Sequence, residues 1–152
     1  MASARILIIE ARFYDHIADG LLAGAKAALE AAGASFDVMT VPGVYELPTA
    51  LEMVLSSDDP ARGGVRYDGY VTLGCAIRGE SSHFDHVCTE CMHGLAQLAM
   101  SRRLALGNGV LTVEDEAQAL NRSDPKRKNI GGLAARACLR MLEIKRELKL
   151  AR

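Results

Sequence analysis

The pattern that most restricts what this chain can fold into is a fourfold alternation of short apolar runs with longer amphipathic segments. Residues 5–11 open with the unbroken apolar stretch Ile6-Leu7-Ile8-Ile9, as a strand covered on both faces should. Residues 16–32 follow with apolar side chains at helical spacing, among them Ile17, Leu21, Leu22, Ala25, Ala28 and Leu29, and Gly33 supplies a stop. A second strand is predicted over 36–41, punctuated by Pro42-Gly43, with a helix over 45–55. Residues 56–66 carry Asp58, Asp59, Pro60, Gly63 and Gly64 and read as a surface loop. The third pair is a strand over 70–77 and a long helix over 83–104. The fourth is a strand over 109–113 and a short helix over 116–120. A polar, basic loop over 121–129 containing Pro125 leads to a closing amphipathic helix over 133–150, with Leu139, Leu142 and Leu150 among its apolar positions. Strand-then-helix repetition implies an α/β fold: a parallel sheet with helices on both faces and right-handed crossovers.

The chain has 152 residues, which fits a single domain over 1–152. A domain of this size buries roughly 68–70% of its unfolded surface. It therefore needs neither disulfide nor metal to hold a core. The formal net charge is -1, so no general attraction to nucleic acid is built in. No apolar run approaches the roughly 20 residues that span a bilayer. The first apolar run begins at once and ends at Glu10, which is unlike a secretory leader. A cytoplasmic location without membrane partners is expected, with the four cysteines as reduced thiols.

In parallel sheets of this kind, ligands sit at the carboxyl ends of the strands. Candidate chemistry should therefore lie just after a strand, and four segments do. Ala11-Arg12-Phe13-Tyr14 follows the first strand, and an aromatic there offers either a core side chain or a stacking surface for a flat heterocycle. Val41-Pro42-Gly43-Val44-Tyr45-Glu46-Leu47-Pro48 follows the second and sets a carboxylate early in a helix. The run from Gly74 to Asp85 follows the third and contains Arg78-Gly79-Glu80-Ser81-Ser82-His83. Ser81 or Ser82 is placed to cap the next helix, whose free N–H groups favour an anion such as phosphate. His83 then falls in the first helical turn beside that anion, with an imidazole suited to moving protons at neutral pH. The region 114–129, after the fourth strand, includes Arg122, Lys126, Arg127 and Lys128. These form either a solvated face or, folded over the anion site, a phosphate clamp.

A rival constellation is His83, His86, Cys88, Cys91 and His93, with a CxxC at Cys88-Thr89-Glu90-Cys91. Such residues can ligate zinc. On a continuous helix, however, Cys88 and Cys91 share a face from which His86 points away, and no second CxxC or His pair follows. Semi-buried thiols are the expected reading, with no metal. A thioredoxin-like role is weaker still, because that motif opens a helix and does not sit within one.

At these segments the sequence resembles the lumazine synthase family. The likeness is carried, in order, by Arg12-Phe13, by Val41-Pro42-Gly43 with Glu46 and Pro48, by Gly74 to Asp85 with Arg78-Gly79 and His83-Phe84-Asp85, by Gly109 to Glu114, and by Gly131 to Ala137. The resemblance implies a flavodoxin-like three-layer sandwich with a four-stranded parallel sheet. It implies condensation of 5-amino-6-(D-ribitylamino)uracil with 3,4-dihydroxy-2-butanone 4-phosphate, with loss of water and inorganic phosphate and with no cofactor or metal. By the same resemblance Phe13 stacks on the pyrimidine. Val44, Tyr45 and Glu46 line the ribityl chain, and Cys75, Ala76 and Ile77 continue that wall. Glu80 and Ser81 contact phosphate through backbone N–H groups. His83 transfers protons, and Arg122 reaches the phosphate from a neighbouring subunit.

Two positions depart from the family's pattern. Asn108 stands where an aromatic residue often covers the ring from the adjacent subunit, so polar contacts are the expected replacement. Ile130 stands where lysine is usual, with Lys128 or Lys126 as the candidates to compensate. The few residues before Arg5 lead to the expectation that there is no room for the leading strand that many members lend to a neighbour. Members of the family form pentamers, pairs of pentamers and sixty-subunit shells. The resemblance implies a homo-oligomeric ring, and Pro125 with Lys126, Arg127 and Lys128 favours an isolated pentamer over a decamer or shell. The alternative readings are a riboflavin synthase of the related archaeal type, a lumazine- or flavin-binding paralogue without turnover, and a generic flavodoxin-like phosphate-binding module.

Overall fold

Ile6 to Ala11 are all buried, and their side chains alternate between two separate cores. A computed structural model describes residues 3–57 and 66–150 of the chain. Its elements run β1 (Arg5–Ala11), α1 (Asp15–Ala31), β2 (Ser35–Val41), a single 3-10 turn (Val44–Glu46), α2 (Leu47–Ser57), β3 (Gly69–Ile77), α3 (His83–Ser101), β4 (Leu106–Val113), α4 (Glu116–Ser123) and α5 (Ile130–Glu147). All four strands are parallel, in the order β2-β1-β3-β4. On one face Ile6 and Ile8 pack with Ile17, Leu21, Leu29, Ala135, Cys138 and Leu142, beneath α1, α4 and α5. On the other, Leu7, Ile9 and Ala11 pack with Leu47, Leu51, Cys91 and Leu95, beneath α2 and α3. The result is an α/β three-layer sandwich of flavodoxin-like order. β1 sends its chain to one side and receives β3 on the other, which opens a crevice at their carboxyl ends.

Each of the four strands read from the sequence is present; β1 has the expected bounds, and β2, β3 and β4 start earlier than expected. β4 starts at Leu106, because its pairing with β3 begins at Tyr70. Gly107 within it has a packing reason, since a Cβ there would overlap the Ala134 carbonyl of α5. The helix expected over 45–55 divides into the 3-10 turn and α2. The helix expected over 83–104 stops at Ser101, where Arg103 turns left-handed at φ 53. α5 starts at Ile130, because Asn129 is a left-handed cap whose Oδ1 accepts the Gly132 N–H at 3.2 Å. A Cβ at Gly131 would overlap the Leu21 carbonyl, so α1 and α5 cross at close range. Of the loop expected over 56–66, Ser56 and Ser57 end α2, Arg66 precedes β3, and Asp58, Asp59, Pro60, Gly63 and Gly64 lie outside the described residues. No helix among the described residues is long and apolar enough to cross a membrane.

Candidate functional site

Three strand-to-helix connections meet at the carboxyl end of the sheet and enclose a cleft of about 740 Å³. The first is Arg12-Phe13-Tyr14. Phe13 is 71% exposed, with its ring against the edge of Tyr14 at 4.9 Å between centroids. An aromatic ring left in water at a cleft rim is available for stacking. Burial pushes the Tyr14 phenol above its ordinary range, so it stays protonated at neutral pH. Among the described residues no side chain caps the N-terminus of α1. The turn is closed instead by Arg12. Its backbone N–H donates to the Val41 carbonyl at 3.1 Å, and its guanidinium contacts Glu10 at 2.9 Å, Asp15 at 3.2 Å and Asp19 at 2.8 Å.

The second connection follows β2. Val44 is buried and rests on Gly74 of β3, where a Cβ would come within 2.7 Å of Val44 Cγ1. That close seat holds the 3-10 turn against the end of the sheet. It leaves Tyr45 exposed and Glu46 half-buried in the cleft wall. Glu46 donates its backbone N–H to the Gly43 carbonyl at 3.2 Å, so its carboxylate is presented at the start of α2.

The third connection joins β3 to α3. Cys75, Ala76 and Ile77 form the strand-end wall. Burial pushes the Cys75 thiol up to about 12, so it contributes an uncharged surface and not a thiolate. Arg78 then donates to Glu114 at 2.8 Å and Asp85 at 3.2 Å, and its guanidinium lies 4.6 Å from the centre of the Phe84 ring. The Glu114 hydrogen bond, before all else, raises the Arg78 pKa, so the clasp is permanently charged. Of the two candidate capping serines, Ser81 is the one that bonds. Its Oγ accepts the His83 N–H at 3.3 Å, while Ser82 occupies the cap position with helical backbone and makes no side-chain cap bond among the described residues. Gly79, Ser81 and His83 all face the cleft.

The cleft thus gathers nine of the residues singled out in the sequence: Phe13, Val44, Tyr45, Glu46, Cys75, Ala76, Ile77, Ser81 and His83. Glu80 is exposed in the same loop but does not line the cleft of its own chain. Asn108 and Arg122 also lie outside it. Asn108 sits midway along β4, where its Oδ1 accepts from Thr72 Oγ1 at 3.2 Å and from the Val110 N–H at 3.1 Å. Arg122, on α4, is half-buried and donates to the Gln118 carbonyl of its own helix at 3.3 Å.

The far wall was not assigned to the substrate site in the sequence, where His86 entered only as a possible metal ligand and Tyr14, Pro42, Gly43 and Phe84 only as parts of the segments that follow the strands. It comprises Phe84, His86, Val87 and Glu90 on α3, with Tyr14, Pro42 and Gly43 opposite. Helical periodicity from His83 was the available signal, since positions 83, 86, 87 and 90 share one helix face. The same arithmetic separates the supposed metal ligands. His86 and Glu90 line the cleft, while Cys91 is buried in the core beneath α2 and α3. Among the described residues no group of three or more His, Cys, Asp or Glu side chains could hold a metal ion.

Chemically the cleft offers an exposed aromatic ring, a carboxylate, the backbone turn at the start of α3, and an imidazole within that turn. Comparison with known proteins points the same way. A family model described as 6,7-dimethyl-8-ribityllumazine synthase matches residues 3–146. A 6,7-dimethyl-8-ribityllumazine synthase of Paramagnetospirillum magneticum is 66% identical over 97% of this chain and 99% of its own length. A protein of the same name from Agrobacterium fabrum is 52% identical over 97% and 99%. The 6,7-dimethyl-8-ribityllumazine synthase 1 of Rhizobium meliloti is 54% identical over 94% and 92%.

Proposed function

The chain belongs to the 6,7-dimethyl-8-ribityllumazine synthase family, and we propose that the cleft between Phe13 and His83 is where it joins the pyrimidine to the butanone phosphate. It is an enzyme of the transferase class that acts in riboflavin biosynthesis. The observation that carries the site assignment is the meeting of Phe13, Glu46 and His83, from three separate connections, around one cleft.

The reaction needs few chemical groups. Imine formation expels the ketone oxygen as water and requires a proton on the departing hydroxyl. Loss of phosphate requires a proton taken from carbon and an anion site for the leaving group. His83 is the proton carrier. The N–H groups around Glu80 and Ser81, at the start of α3, receive the phosphate. Phe13 holds the pyrimidine face, Val44 and Tyr45 flank the ribityl chain, Glu46 accepts from its hydroxyls, and Cys75, Ala76 and Ile77 close the wall. Positioning of two reactive molecules supplies much of the remaining rate. No cofactor or metal enters the scheme.

The working unit is a ring of five chains, formed from a single domain over 1–152 and located in the cytoplasm. Its ligands are small molecules, and neither nucleic acid nor membrane takes part. Support for the ring comes from what the cleft lacks. Arg122 and Asn108 stand outside the cleft of their own chain and match positions that the family donates from a neighbour. Val38 and Met39 on the outer strand, and Leu120 and Leu133 on either side of the basic loop over 121–129, are exposed apolar side chains that assembly would cover. Incubation with both substrates tests the activity: lumazine chromophore appearing together with inorganic phosphate supports the reading. Riboflavin formed from lumazine alone, or lumazine binding without turnover, contradicts it. Light scattering in low-phosphate buffer tests the ring, with a mass near five chains supporting the pentamer and an active monomer refuting the shared site.

A further inference from the structure

We infer that Arg12 is a positioning residue for the aromatic shelf: its guanidinium, braced on buried Glu10, fixes the β1–α1 turn that presents Phe13. The inference rests on the proposed pyrimidine site at Phe13 and deepens it.

The β1–α1 connection has three residues, Arg12, Phe13 and Tyr14, and the helix it starts has no side-chain cap among the described residues. An uncapped turn with an exposed aromatic at its apex would fray without another tie. Arg12 supplies that tie in two directions. Toward the sheet, its backbone N–H bonds to Val41 and its Nε donates to Glu10 Oε2, which also accepts from Thr40 Oγ1 at 2.8 Å. Toward the helix, the remaining nitrogens reach Asp15 and Asp19, which follow one another on the first two turns of α1. Phe13 sits between these two sets of contacts. A planar guanidinium can satisfy carboxylates in several fixed directions at once, and a lysine ammonium cannot reproduce that fork.

Glu10 shows what the brace is for. It is 3% exposed on a strand whose neighbours are aliphatic, and its Oε1 is buried with no hydrogen-bond partner among the described residues. A chain that needed only a stable core at this position would hold an aliphatic side chain there, as it does at Ile6 and Ile8. The buried carboxylate instead gives Arg12 a fixed anchor one residue short of the aromatic. The same fork reaches no residue of the His83 turn, so its influence is confined to the pyrimidine side of the cleft.

A coupling experiment tests this. Affinity for 6,7-dimethyl-8-ribityllumazine is measured by titration for wild type, Arg12→Gln, Arg12→Lys, Phe13→Ala, and Arg12→Gln with Phe13→Ala. The combination of Glu10→Gln with Arg12→Gln is added to remove the uncompensated buried charge. Phe13→Ala is expected to weaken lumazine by about 5- to 150-fold, the range of aromatic–base stacking. Arg12→Gln is expected to weaken it by about tenfold, within that range, with Arg12→Lys restoring little of the loss. Inhibition by inorganic phosphate should stay within about twofold of wild type for both Arg12 variants, since no contact of Arg12 reaches the His83 turn. If Arg12 acts through Phe13, its substitution costs nothing further in the Phe13→Ala background. Additive losses would overturn the inference. So would recovery of lumazine affinity when Glu10→Gln restores stability, because Arg12 would then serve the fold alone. Failure of the wild-type protein to bind lumazine would fall on the pyrimidine site itself and not on Arg12.

Discussion

The turns after β1 and after β3 lie side by side at one end of the sheet, each governed by an arginine that follows its strand, and they are held in opposite ways. Arg12 is tied to a carboxylate that is almost wholly buried, and its own side chain is only 24% exposed. Arg78 reaches Glu114 and Asp85, which are both more than half exposed, and is itself 41% exposed. Exposed ion pairs contribute little to stability because water and salt screen them, whereas breaking a buried pair strands a charge. The two turns therefore separate two demands. On the proposed reading, a ring-stacking shelf has to stay still, which suits the braced turn that carries Phe13. On the same reading, the Gly79–Ser81 turn that would receive phosphate, with His83 beside it, is held by exposed pairs that contribute little. Here Phe84 under the Arg78 guanidinium supplies a soft contact where the other turn has a buried anchor.

The comparison breaks first at His83. His83→Ala should slow turnover by about 100- to 10,000-fold, the scale of general acid–base catalysis, while lumazine affinity and folding stay near wild type. The uncatalysed condensation must be subtracted before the ratio is taken. A variant at full rate would remove the imidazole from the mechanism, and a loss confined to lumazine affinity would move it to the shelf side.

Stability gives the next contrast. Arg12→Gln should lower the unfolding free energy in urea by about 3 kcal/mol, the low end for breaking a buried pair because the guanidinium is partly hydrated. Arg78→Gln should shift the same transition little and should lose that small shift in high salt. Equal losses from both substitutions would show that the two turns are held alike.

Arg122→Ala sharpens the distinction from outside the cleft. It should raise the apparent dissociation constant of the butanone phosphate by about 10- to 150-fold, as one charge-assisted contact is worth about 1.5–3 kcal/mol. The pyrimidine should be nearly unaffected. Equal effects on both substrates would make Arg122 structural, and no effect would direct attention to Lys126, Arg127 or Lys128. At the small end, exhaustive chelation should leave the rate unchanged. Zinc at one per chain, lost together with Cys88 or Cys91, would contradict that expectation.

The difference between the turns also marks how far the residues could be read in advance. Apolar runs such as Ile6–Ile9 and the stretch Tyr70-Val71-Thr72-Leu73 before Gly74 announce the sheet, because a doubly covered strand leaves no room for alternation. The beginning of β4 was hidden. Leu106-Gly107-Asn108-Gly109 looks like a turn, yet Gly107 is there so that the Ala134 carbonyl can approach. Cleft residues on strand ends followed from the position of ligand sites in parallel sheets. The α3 wall at His86, Val87 and Glu90 was legible only by projecting the helix from His83. The Arg12 brace could not be read at all, because Thr40 meets Glu10 only once β2 is in register with β1. Arg122 and Asn108 lie outside the cleft of their own chain, and the roles proposed for them rest on the resemblance alone.

The most direct test of the two-sided cleft is a crystal structure of the assembled protein with 6,7-dimethyl-8-ribityllumazine and inorganic phosphate bound together. The pteridine ring is expected against Phe13, the ribityl hydroxyls on Glu46, phosphate on the backbone of Glu80 and Ser81 within reach of His83, and Arg122 arriving from the neighbouring subunit. A ring bound away from Phe13, for instance in the groove between Pro48 and Gly94 of α2 and α3, or phosphate held at the Arg12 turn, would contradict it.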